Sequence, residues 1–256
     1  MNMKSFLKLL TAGLLASATV IAPGTAANAL DEQQKKEFGA FIREYLIANP
    51  EIMLEVQDAL EKKQQDTRTS QASEGIAANS KAIFSTASDI TLGNPNGDVT
   101  IVEFFDYNCT YCKRALTDME TILSSDKKVR FILKEFPILG PDSMAAHRVA
   151  SAFKAIAPEK YPQFHKQLLG GPQRATEQTA IAVATTLGVS EAAIRKSMKD
   201  NPNDQQIRAT YELANNLGVT GTPFYVVGNE AVFGAVGHEE LSSKISNIRS
   251  CGKATC

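Results

Sequence analysis

VEFFDYNCTYCKR, residues Val102–Arg114, decides how the rest of this chain is read. Val102 to Phe105 continue an apolar, β-branched run that begins at Val99 and is broken only by Glu103, the pattern of a strand buried on both faces. Cys109 then opens a segment in which Ala115, Leu116, Met119, Ile122 and Leu123 recur at helical spacing. Two cysteines three positions apart at such a junction admit three readings: metal clip, structural staple or redox couple.

The junction itself favours the third. A cysteine in the first turn of a helix faces unpaired backbone N–H groups and the positive end of the helix dipole, which stabilise thiolate over thiol. Cys109 has that place, so it is expected to attack. Cys112, nearly one turn on, can close a small disulfide ring and resolve a mixed disulfide. A zinc site would need Cys251 and Cys256 as further ligands, and a strand-to-helix junction suits zinc poorly. A purely structural bridge over two residues would constrain very little chain.

Two more features belong to this reading. Glu103 lies six residues before Cys109 in an apolar strand, so it is expected partly buried beneath the helix, with a raised pKa, exchanging protons with the thiols. Lys134, flanked by Ile132, Leu133 and Phe136, is expected to pair with it. Further on, VTGTPFYVV (Val219–Val227) sets Pro223 just before a strand, where a cis peptide bond is expected. The Thr222 backbone is then exposed to hydrogen-bond an extended substrate segment.

Outward from these motifs the chain alternates strand and helix. Ile90–Leu92 reads as a short strand and Asn94–Gly97 as a turn; Val99–Phe105 and Val129–Phe136 are strands. Helical stripes fill the stretch from Ser143 to Leu217. A hairpin of Phe224–Val227 and Ala231–Ala235 comes next, then a helix from His238 to Arg249. Strand, helix, strand, helical insert, hairpin, helix is an α/β thioredoxin fold with a helical insertion.

The N-terminal part differs. Lys4 and Lys8 precede an apolar run from Leu9 to Ala22, then Ala27-Asn28-Ala29, the layout of a secretory signal over residues 1–29. The apolar run is too short to span a bilayer comfortably. Phe38, Phe41, Ile42, Tyr45 and Leu46 form one helical stripe; after Pro50, Ile52, Met53, Val56 and Leu60 form another. Residues 30–66 are thus expected as a helical segment that docks on the main domain or, the preferred reading, joins copies of the chain into an oligomer. Residues 67–88, rich in Ser, Thr, Gln and Ala, are expected as a linker or a weakly held helix before a domain over 89–250, with its insert at about 141–217.

With 256 residues, 43% apolar content and a formal charge of −1, the chain can bury a core and carries no basic block for nucleic acid. Export would put the four cysteines in an oxidising compartment, where an even set pairs up. Four in so long a chain are too sparse for a disulfide scaffold.

VTIVEFFDYNCTYCKR, EFPILGPDS and GVTGTPFYVV together resemble the DsbA-like branch of the thioredoxin superfamily, from about Asp89 to the last helix. FIREYLIANPEIMLEVQDALEKKQ resembles the leader of the ScsC-type members, the bacterial suppressor-of-copper-sensitivity proteins. The resemblance implies Cys109 as nucleophile, Cys112 as resolving thiol, Glu103 as buried acid and Pro223 as cis proline. Thr222 is the version seen in isomerase-type members. Thr110-Tyr111 stands where DsbA carries Pro-His and many ScsC-type members carry Gly-Tyr; this dipeptide tunes the thiolate and meets substrate. Cys251 and Cys256, in the tail 251–256, are outside the family pattern; a disulfide pinning the tail is preferred over a second exchange pair or copper ligands.

Motifs and resemblance together predict a periplasmic protein disulfide isomerase or reductase that uses no cofactor or resident metal. Its expected partners are partly folded envelope proteins, a membrane redox protein and further copies of itself, with a trimer implied by the leader. A dithiol oxidase is the alternative within the class, and a copper-binding tolerance protein the alternative outside it.

Overall fold

The computed structural model describes residues 31–85 and 89–256; the expected signal segment lies outside the described residues. The chain divides into two compact units, Met1–Asp58 and Ala59–Cys256.

The first unit holds helix α1 (Glu32–Ala48) and the start of α2 (Glu51–Ala78). Asp31 and Gln34 cap α1 reciprocally: the Gln34 N–H donates to Asp31 Oδ1 at 2.7 Å and the Asp31 N–H to Gln34 Oε1 at 3.0 Å. At the other end Asn49 donates from both its backbone and side-chain nitrogen to the Tyr45 carbonyl, and Pro50 separates the helices. Phe38, Phe41, Ile42 and Tyr45 are all exposed on one stripe, and Met53, Leu54 and Val56 of α2 are exposed as well. Nothing in α1 is buried.

The second unit is built on a five-stranded sheet in the order β1-β3-β2-β4-β5. The strands are β1 (Ile90–Gly93), β2 (Val99–Phe105), β3 (Val129–Glu135), β4 (Phe224–Val227) and β5 (Glu230–Phe233). Only β2 and β3 run parallel, joined by α4 (Thr110–Ser125); the other neighbours are antiparallel. The succession of strand, helix, strand, helical insert, hairpin and helix is the one expected from the sequence.

Strand alternation splits the core into two layers. Ile101 and Phe105 of β2, with Phe131 and Leu133 of β3, face α4 and four helices of the insert: α5 (Pro141–Ile156), α6 (Tyr161–Gly170), α7 (Glu177–Thr186) and α8 (Glu191–Asp200). Val102, Phe104, Ile132 and Phe136 face the opposite way, onto Leu213 and Leu217 of α9 (Asp204–Asn216) and its end. The insert therefore supplies both faces: four helices on one and its last on the other. The chain closes with α10 (His238–Cys251), whose Leu241 and Ile245 return to the first layer.

The stretch expected as a linker or a weak helix is helical. Helix α2 runs to Ala78 and a short α3 (Ser80–Phe84) comes after it, with residues 86–88 outside the described set. Its Ala, Gln, Glu and Arg are good helix formers. Ala72, Ile76 and Ile83 are buried in the second layer with Leu213 and Leu217. The apolar stripe is hard to see in sequence because small residues make much of the contact. Gly75 is the tightest point: a Cβ there would lie 2.4 Å from the Asn216 carbonyl oxygen.

Gly75→Ala is therefore expected to lower stability by about 1–3 kcal/mol through overpacking. The measurement is the urea midpoint of the full chain, with the slope unchanged; an unmoved midpoint would mean that α2 does not approach the end of α9 so closely.

Candidate active site

Cys109 is the N-cap of α4, with φ −79° and ψ 116°, so its backbone is outside the helix while its sulfur faces the first turn. Its Sγ accepts the Cys112 backbone N–H at 3.3 Å and donates to the Thr222 carbonyl at 3.1 Å. The Thr222–Pro223 peptide is cis. Sulfur, helix N-terminus and the loop before β4 thus meet at one point, although Cys109 and Thr222 are 113 residues apart.

The two thiols differ sharply. The neighbouring Cys112 thiol, then the Thr222 side chain and the Cys112 and Tyr111 backbone N–H groups, bring the Cys109 pKa down to about 6 against the opposing effect of burial. Cys112 is fully buried. Burial first, then the Cys109 sulfur and the Glu103 charge, push its pKa far up. Near neutral pH one sulfur is a thiolate and its partner a protonated thiol, which is the division that attack and subsequent resolution need.

Glu103 lies buried under this helix on the same face of β2 as Ile101 and Phe105. Burial, then the charges of Cys109 and Asp118, raise its pKa to about 8. Its register neighbours are Leu133 on β3 and Tyr225 on β4.

Lys134 does not pair with Glu103. It sits one residue past Leu133, so strand alternation turns it to the other layer. There its Nζ bonds to the Asp89 carboxylate and donates to the Ala82 carbonyl at 2.8 Å. The apolar flanks of Lys134 correctly signal burial, but on the wrong side of the sheet.

Thr110 and Tyr111 open α4 on the surface. The Tyr111 ring is exposed and the Arg114 guanidinium lies 4.4 Å from its centroid. Leu139 and Val236 are further exposed apolar side chains. Cys251 and Cys256 are joined by a disulfide at the end of α10. The tail is also held without it: Ala254 is buried, its carbonyl accepts from Asn247 Nδ2 at 3.0 Å, and Thr255 Oγ1 donates to Glu230 at 2.7 Å. The four cysteines are therefore not gathered for zinc. Among the described residues no three or more His, Cys, Asp or Glu side chains are grouped to hold a metal ion.

Sequence reasoning passes over the turn before Cys109. Asp106 is fully buried, and its carboxylate accepts the N–H groups of Asn108 at 2.8 Å and Leu139 at 2.9 Å. The signal is present, since an Asx residue ending a strand commonly forms such a turn. Tyr107 heads a second buried polar group, with its hydroxyl 2.8 Å from that of Tyr161 and 3.4 Å from His165 Nδ1. Burial, then His147, lower the His165 pKa to about 3.

With this geometry in view, the comparisons with known proteins are specific. Residues 100–246 match the DSBA-like thioredoxin domain, and residues 34–66 match the copper resistance protein ScsC N-terminal domain. A thioredoxin-like oxidoreductase from Silicibacter pomeroyi is 36% identical, covering 67% of this chain and 98% of its own, with a TM-score of 0.63. The thiol-disulfide exchange protein alpha-DsbA2 from Wolbachia pipientis is 29% identical over 69% of this chain and 95% of its own, with a TM-score of 0.65. ScsC of Proteus mirabilis is 28% identical over 84% of this chain and 94% of its own, with a TM-score of 0.54. The chain spans 24% of the length of the curated relatives it matches, two Na(+)/H(+) antiporter NhaA proteins of Salinispora. Among the described residues no helix is long and apolar enough to cross a membrane.

The state of Glu103 gives a test by stability. Its folded pKa is raised from 4.5 to about 8, so the native state keeps a proton that the unfolded chain loses in that window. Its contribution to stability accordingly falls as pH rises from about 4.5 to about 8. In reduced protein, Glu103→Gln should remove that slope, with a urea midpoint that gains on wild type steadily across the window. Parallel curves for the two proteins would show that Glu103 is not held protonated.

Proposed function

Because this chain belongs to the DSBA-like thioredoxin domain family, we propose that Cys109 and Cys112 exchange disulfides with other proteins, as an isomerase and reductase. The observation that carries the reading is the placing of the two sulfurs: Cys109 Sγ at the N-cap of α4, accepting the Cys112 N–H and lying 3.1 Å from the Thr222 carbonyl, with Cys112 fully buried one turn deeper.

The Cys109 thiolate attacks one sulfur of a client disulfide. A bond forms between Cys109 and that sulfur, and the other client sulfur leaves as thiolate. Isomerisation results when a different client thiolate attacks the client sulfur of the mixed disulfide, which makes a new client disulfide and frees Cys109 with no net change in oxidation. Reduction results when Cys112 passes its proton to Glu103, whose carboxyl ionises once the mixed disulfide has removed the Cys109 charge, and attacks Cys109 Sγ. The Cys109–Cys112 disulfide forms, the client leaves as a thiolate, and two electrons have passed to the client. A membrane redox partner then restores the dithiol.

Direction is set by the leader more than by the cysteines. A low Cys109 pKa serves an oxidase equally well. The exposed stripe of Phe38, Phe41, Ile42 and Tyr45 lies in the segment that matches the ScsC N-terminal domain, and it supports association into a homo-oligomer, with a trimer preferred. Several sites around one unfolded client raise the effective concentration of thiolate. Tyr111, Leu139 and Val236 offer apolar contact to a partly folded client. The secretory layout of residues 1–29 supports a periplasmic location.

A second reading, Cu(I) held by the same two thiols, is favoured by the match of residues 34–66 to a copper resistance protein's domain. Copper titration of wild type against Cys109→Ser tests it.

The main test is recovery of activity from scrambled ribonuclease, together with solution mass, for wild type and for a Phe38→Ser/Phe41→Ser variant of the full mature chain. Wild type should be oligomeric and rescue the scrambled substrate. The variant should be monomeric and lose rescue while still reducing simple disulfides. A monomeric wild type that oxidises reduced ribonuclease but never rescues scrambled ribonuclease would make the protein an oxidase.

A further inference from the structure

The thiolate at Cys109 depends on where its backbone sits, and helix α4 cannot fix that alone. An N-cap residue has only its carbonyl inside the helical ladder; here Lys113 N–H donates to the Cys109 carbonyl at 3.1 Å. The residue before it is therefore free to move unless something else holds it.

Asn108 is held from a distant part of the chain. Its Oδ1 accepts the Ala175 N–H at 2.8 Å, and its Nδ2 donates to the Ala175 carbonyl at 2.9 Å. One planar amide thus meets both backbone groups of Ala175, in the manner of a strand neighbour. The same Nδ2 donates to Ser143 Oγ at 3.0 Å. Ala175 and Ser143 are both almost completely buried, so these bonds form where water does not compete. On the other side of Cys109, Lys113 Nζ donates to the Gly171 carbonyl at 2.9 Å. The segment between α6 and α7 therefore grips the start of α4 both before and after the reactive sulfur.

Few side chains can do this. The position needs an acceptor and a donor on one short rigid group. Aspartate keeps the acceptor, loses both donations and adds a negative charge beside a thiolate; alanine and serine do not span the gap.

We infer that Asn108 is a positioning residue for Cys109: by clamping the pre-cysteine turn to Ala175, it makes the helical insert part of the device that aims the sulfur at the Cys112 N–H. The inference rests on the thiol–disulfide reading of Cys109. It deepens that reading by assigning the insert a part in setting reactivity besides its place in the core.

The test is the pH profile of iodoacetamide alkylation, read at the Cys109 peptide by mass spectrometry, for full-length reduced wild type, Asn108→Ala and Asn108→Asp. Alkylation tracks the thiolate and needs no client. Wild type should show a midpoint near 6. Asn108→Ala should move it upward by about one pH unit, which makes alkylation about fivefold slower near the wild-type midpoint. Asn108→Asp, which keeps the side-chain size if the alanine variant does not fold, should move it in the same direction. Ser143→Ala removes one bond of three and should move it less. A wild-type midpoint at the ordinary thiol value of about 8.5 would overturn the redox reading itself. A low wild-type midpoint that both Asn108 variants retain would overturn the positioning role and leave the redox reading standing.

Discussion

The active site depends on one alignment: a sulfur at the N-terminus of α4 with the Thr222 carbonyl across from it. A helix offers unsatisfied N–H groups only at its first turn, so the residue that uses them must be the cap or its immediate neighbours. That constraint fixes Cys109 and leaves Cys112 one turn deeper, where water is excluded. Position alone moves the acidities of the two identical side chains in opposite directions, Cys109 down and Cys112 up. Strands β2 and β4, neighbours in the sheet, are what bring the helix start and the loop before Pro223 to the same edge.

Much of this is legible in the residues. Apolar runs of β-branched residues locate β2 and β3, helical periodicity locates α4 and the insert, and the Cys-x-x-Cys at their junction locates the site. Glu103 can be picked out because a charge inside an apolar strand is costly unless it has work to do. The misreading of Lys134 has an equally definite cause. Burial can be read from one strand, but which face a residue takes relative to a neighbour on another strand depends on register. Glu103 stands opposite Leu133, and one residue's offset sends Lys134 through the sheet to Asp89.

Contacts made by small or polar groups are harder to see. Ala72 and Gly75 carry no hydrophobic signal comparable to Phe or Leu, yet they let α2 lie against α9. Asn108 reads as a loop residue, and its partner Ala175 is 67 positions away in a segment without a motif. Such bonds are properties of the assembled chain, since neither partner stands out until the fold sets them side by side. The insert likewise reads as one helical block, while its helices divide between two layers of the core.

The turning of Lys134 away from Glu103 has a consequence for how protons and electrons are counted. Part of the upward pressure on this carboxyl comes from the negative sulfur of Cys109. When Cys109 and Cys112 join in a disulfide that charge vanishes, and the carboxyl becomes a stronger acid than it was above the dithiol. Oxidation therefore makes it easier for a proton to leave a group that is neither oxidised nor reduced, and rereduction makes it harder. Leu133, its register neighbour, carries no charge to offset this exchange. The electron affinity of the pair becomes tied to the acidity of its surroundings through a residue that never touches the client.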